Sequence, residues 1–132
     1  MEDPMDKWLE GWDFPRFAGG EHKVTPARFF EEHARGRAVL LDVRTPEEAA
    51  LLAFPGAIHI PLGELPRRKE EVPGDKLVAA FCSMGTRSAI AYAYLSSRGW
   101  KNVRFLASGY KELIEELRPG RILARSGPAG KE

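Results

Sequence analysis

Apolar residues in this chain fall into short runs, separated by polar stretches and by breaks marked with glycine or proline. KLVAAFC at 76–82 is the strongest run, and its lack of polar alternation suits a central strand covered on both faces. AVLLD at 38–42, Ile58 to Ile60 and NVRFLA at 102–107 are three more runs of strand length. Helix signals lie between them. Thr25-Pro26 supplies a cap and a first-turn proline and Gly36 a stop, which predicts a helix over 26–35. Thr45-Pro46-Glu47-Glu48 has the form of a capping box and predicts a short helix to about Leu52. Residues 63–71 read as a charged helical segment ending before Pro73-Gly74, and Ser88 to Arg98 as a helix closed by Gly99. Gly109 to Leu117 make a last helix, with Ile114 and Leu117 three apart on one side. Strands alternating with helices predict an α/β domain, its sheet mostly parallel with helices on both faces.

The ends differ from this middle. Residues 1–20 interleave Trp8, Trp12, Phe14 and Phe17 with charges, as in an arm that packs on the domain or a partly ordered lead-in. The domain is expected over 21–120 and a tail over 121–132, frayed from Ser126 to Glu132.

Composition narrows the function classes. A chain of 132 residues fits one domain and needs no staple to hold a core. A formal charge of +1 gives no basic field, so neither nucleic acid nor an anionic membrane is expected as partner. One cysteine makes no internal disulfide, and the first residues form no secretory leader, so a cytoplasmic address is expected. His22, His33 and His59 share no ligand spacing with Cys82, and neither a metal nor another cofactor is expected.

The single cysteine, Cys82, falls where the central strand ends and a helix begins. Ligands of open parallel sheets bind at the carboxyl ends of strands. Gly85 permits a curled loop whose amides point inward as a nest, and such a nest favours the thiolate. Arg87 puts positive charge at the helix start, against the dipole. A small buried core thiol is the other reading of Cys82, and capping alone would account for Thr86 and Ser88. Gly85 and Arg87 favour the reactive thiol.

Four segments in order resemble the single-domain rhodanese-like proteins: LLDVRTPEE (40–48), PGAIHIPL (55–62), CSMGTRS (82–88) and LSSRGWKNVRFLASGY (95–110). The resemblance implies a doubly wound domain, with a sheet of about five strands, and a sulfurtransferase. In that chemistry Cys82 takes sulfur from a donor such as thiosulfate as a persulfide and passes it to cyanide, a thiol or a sulfur-relay protein. Ser83, Met84, Gly85, Thr86, Arg87 and Ser88 would form the substrate cradle, with Asp42 and Arg44 supporting it. Arg44 is expected to meet Glu47 or Glu48. The six-residue loop from Cys82 to Arg87 is similar to that of the sulfur-transferring members. Phosphatases and arsenate reductases of this fold carry one residue more. A docking domain without catalysis is the other alternative. Two departures stand out: Leu52-Ala53-Phe54 replaces the usual Gly-His-Ile, and Ser108-Gly109 replaces Gly-Gly.

Overall fold

The computed structural model describes residues 3–126. Two short helices come first, α1 (Pro4–Glu10) and α2 (Phe14–Ala18), followed by α3 (Pro26–Ala34) and β1 (Ala38–Asp42). Next come α4 (Pro46–Leu51), β2 (Ile58–His59) and α5 (Leu65–Arg68), the last flanked by single 3-10 turns. The chain then runs through β3 (Leu77–Phe81), α6 (Thr86–Ser97), β4 (Val103–Phe105), α7 (Tyr110–Glu115) and α8 (Pro119–Arg125).

The strands form one parallel sheet in the order β2-β1-β3-β4. About five strands were expected, and four are present among the described residues. The would-be fifth contributes one bridge, Lys23 to Phe105, because Thr25-Pro26 opens α3 two residues later. Period-two alternation along the central strands sends side chains to opposite faces. Leu41, Val78, Ala80 and Cys82 join Tyr92 and Leu95 of α6 in one cluster. Leu40, Ala79 and Phe81 join Phe29 of α3 and Leu113 of α7 in the other.

Helix boundaries follow the capping chemistry. Thr45 accepts from the Glu48 amide while the Glu48 carboxylate returns to the Thr45 amide, so the expected capping box is formed. Helix α6 begins two residues earlier than predicted, with Gly85 as its cap, so Thr86 and Ser88 lie inside its first turn and neither is the cap. In α7 the buried side chain is Leu113; Ile114 and, just beyond the helix, Leu117 are partly exposed. A one-residue error in the phase of a short helix is enough to select the wrong face.

The arm is folded. Trp8 meets Trp12 and Tyr92 edge to face, at 5.4 and 5.8 Å between centroids, and its Nε1 donates to Ser96 Oγ at 2.8 Å. These contacts fasten α1 to α6. At the other end, the expected tail begins with helix α8, where Arg121 and Arg125 pair with the buried Glu116. Residues 127–132 of the expected frayed segment lie outside the described residues. No helix among the described residues is long and apolar enough to cross a membrane.

Candidate active site

Strand β3 delivers Cys82 to the carboxyl edge of the sheet, between the ends of β1 and β4. The loop that follows must reverse sharply into α6, and Gly85 makes that possible with φ of +98°. A side chain at Gly85 would also meet the Ala107 carbonyl oxygen at 2.6 Å. From the other side, a Cβ on Gly109 would lie 2.3 Å from the Ser83 carbonyl oxygen. The segment after β4 therefore presses directly on the loop. Of the pair Ser108-Gly109, the glycine is retained where there is no room for a side chain.

Cys82 is 1% exposed, which fits the core reading, yet its sulfur is surrounded by donors. The amides of Gly85 and Ser88 donate to Sγ at 3.1 and 3.3 Å, and the Met84 amide is directed at it as well. Ser88 Oγ lies 3.6 Å from Sγ and within reach of the carbonyls of Gly85 and Leu106, at 3.0 and 3.2 Å. A serine hydroxyl has one proton, so Ser88 can accept from the thiol or turn to donate to the thiolate. Burial pushes the Cys82 thiol up; the Met84 amide, the Ser88 hydroxyl and the amides of Ser88 and Gly85 outweigh it. The net result lies below an ordinary thiol. Cys82 is thus both a core residue and a poised anion site.

Arg87 does not reach for the sulfur. Its guanidinium makes a two-pronged pair with Glu48, Nη1 to Oε1 at 2.7 Å and Nη2 to Oε2 at 2.9 Å, and donates to Ser83 Oγ at 3.1 Å. The Arg87 hydrogen bonds, followed by the Thr45 amide, hold the Glu48 carboxyl well below the usual carboxylate range. Glu48 therefore remains an anion at neutral pH and has no proton to give as a general acid.

The expected partner of Arg44 is corrected by this geometry. Arg44 is fully buried and bonds not to Glu47 or Glu48 but to Asp42, Nε to Oδ1 at 2.8 Å and Nη2 to Oδ2 at 2.6 Å. Two residues apart at the end of β1, Asp42 and Arg44 can fold back on one another, while Glu48 on α4 faces the loop. Arg44 also donates to the Leu52 carbonyl at 2.7 Å and to the Tyr110 hydroxyl at 3.1 Å, with its guanidinium over the Phe81 ring. It ties the β1 end, the α4 exit and α7 together behind the loop. His59 Nε2 lies 2.9 Å from the Arg44 carbonyl, an acceptor, so that nitrogen carries the proton and braces the frame.

Met84 projects from the loop at 80% exposed, and Thr86 is exposed beside it. Among the described residues no group of three His, Cys, Asp or Glu side chains is disposed to hold a metal ion. Sequence reasoning missed Glu48 as the partner of Arg87 and Tyr110 as the end of the Arg44 network. No local spacing joins residues 39 or 66 positions apart. The β1-β3 neighbour relation joins Glu48 to Arg87, and Tyr110 arrives from α7, after β4.

A parallel sheet with a cysteine-centred amide cradle at the carboxyl end of its central strand defines a class. The chain belongs to the rhodanese-like domain family, whose model matches residues 25–116. It is 39% identical over 71 residues to a sulfurtransferase of Allochromatium vinosum, an alignment covering 54% of this chain and 66% of that one. It is 35% identical over 97 residues to the human thiosulfate:glutathione sulfurtransferase, covering 63% and 84% of the two chains. The solved rhodanese-related protein of Thermoplasma volcanium superposes with a TM-score of 0.65 at 32% identity, over 74% of this chain and 95% of that one. A longer relative is a tRNA uridine(34) hydroxylase, so membership of the family does not by itself choose the reaction.

Proposed function

We propose that this protein is a sulfurtransferase that carries sulfur as a persulfide on Cys82. The observation that supports this reading best is the pair of amides, from Gly85 and Ser88, aimed at the buried sulfur. They favour the thiolate before reaction and can follow the charge one atom outward afterwards. The Cys82 thiolate attacks the outer sulfur of a donor such as thiosulfate. The donor S–S bond breaks, sulfite leaves with the bonding pair, and Cys82–S–S⁻ remains. A thiolate acceptor, cyanide or the thiol of a sulfur-relay protein then takes the outer sulfur and restores the Cys82 thiolate. Both steps are displacements at sulfur, and they balance without a cofactor. In this reading Ser83 to Ser88 form the cradle, while Asp42 and Arg44 hold the β1 end behind it.

The test is intact mass after incubation with thiosulfate and, separately, with a small persulfide, beside Cys82→Ser. A gain of about one sulfur atom, removed by cyanide or dithiothreitol and absent from the variant, supports the reading. No gain with either donor refutes it.

A further inference from the structure

Resting on the persulfide reading, we infer that Glu48 determines donor specificity. By neutralising Arg87 it turns the loop away from dianionic donors and toward persulfides of low charge. Arg87 is the loop's only cationic side chain, since Ser83, Met84 and Thr86 are neutral. Both arms of its guanidinium are occupied by Glu48, and one is shared with Ser83. The amides of Gly85 and Ser88 are directed at Sγ. Arg44, the other arginine of the frame, is fully buried and paired with Asp42. A dianion such as thiosulfate therefore meets a loop whose one charge is already cancelled. The apolar side chain that the loop exposes is instead the adaptable Met84, at 80%. The donor that fits is R–S–SH with an uncharged body. The Cys82 thiolate attacks its outer sulfur, the S–S bond breaks, RS⁻ leaves with the bonding pair, and Cys82–S–SH forms.

The probes are thiosulfate and the persulfide of N-acetylcysteine methyl ester, whose body carries no charge. The readout is the ratio of kcat/KM for the two donors, measured with the full chain. The wild type is expected to favour the persulfide. Glu48→Gln keeps an oxygen for Arg87 and for the Thr45 cap but removes the negative charge. It should raise the thiosulfate-to-persulfide ratio about tenfold, the size of effect one uncompensated charge has on a dianion across a short, water-accessible gap. That gain should shrink in 1 M salt, where the screening length is about 3 Å, which a merely structural loss would not do. Met84→Lys, at an exposed position independent of the Glu48 contacts, should move the ratio the same way. If both donors load sulfur and neither variant moves the ratio, or the wild type favours thiosulfate, Glu48 has no such role and the persulfide reading stands. If neither donor loads the wild type, both fall.

Discussion

Replacing Arg44 by methionine tests whether the frame behind the loop is as strongly determined as it looks. Arg44 is fully buried, and Asp42 beside it is 2% exposed. Methionine fills much of the same space but offers no donor. It would leave the Asp42 carboxylate with the backbone amide of residue 44, at 3.0 Å, in place of that amide and two guanidinium bonds. The Leu52 carbonyl and the Tyr110 hydroxyl would each lose a partner too. Removing one member of a buried ion pair costs about 3–5 kcal/mol, because the other charge stays in a poorly polarisable place. For a chain of this size that is a drop of roughly 10–20 °C in Tm. Urea denaturation of the wild type and of Arg44→Met gives the number directly. Adding Asp42→Asn to Arg44→Met removes the stranded charge and should recover at least half of the loss. A cost below about 1 kcal/mol, the level of a solvent-exposed pair, would refute the argument. So would an Asp42→Asn addition that made the variant worse.

Three further outcomes follow from the geometry. Because its donors hold Cys82 below an ordinary thiol, the rate of iodoacetamide alkylation should reach its plateau at lower pH than that of a free cysteine. Ser88→Ala should move that midpoint upward. Gly85→Ala and Gly109→Ala would each place a methyl group within 2.6 Å of a backbone carbonyl oxygen, and Gly85 adds a φ of +98°. Each should cost about 1–3 kcal/mol in chemical denaturation and slow sulfur loading of Cys82, with Gly85→Ala the worse of the two. Trp8→Ala removes two edge-to-face contacts and the bond to Ser96, for a loss of about 2 kcal/mol. The arm contacts α6 at Tyr92 and Ser96, beyond Ser88 and clear of the donors around the sulfur, so the pH midpoint of Cys82 alkylation should not move.

The elements were legible in the sequence where local chemistry determines them. The Thr45 to Glu48 box, the proline starts of α3 and α4 and the runs forming β1 and β3 need only a few adjacent residues to be read. The loop was legible for the same reason: Cys82, Gly85 and Arg87 lie within six positions. What stayed hidden depends on distance along the chain. Residues 121–125 look like a tail because their helix gains its anchor from Glu116 and from the Phe30 ring under Arg125. The buried face of α7 is set by its contact with α3, not by its own six residues. Tyr110 gave no signal, since a tyrosine after glycine is as good a core aromatic as a hydrogen-bond partner.

The arginines show why a motif can be read correctly and its electrostatics still be missed. In sequence, Arg87 suggests positive charge at the loop, while Arg44 is expected to meet Glu47 or Glu48. In the fold, each is paired with its own carboxylate, Asp42 or Glu48. The attraction felt at Sγ comes from N–H dipoles about 3 Å away. Dipoles of this kind act at contact range, and here they stabilise charge on the cysteine sulfur. A site built this way is well suited to keeping a thiolate and, on the proposed function, a persulfide. On the proposed donor specificity it competes poorly for small dianions, because α4 places Glu48 against Arg87.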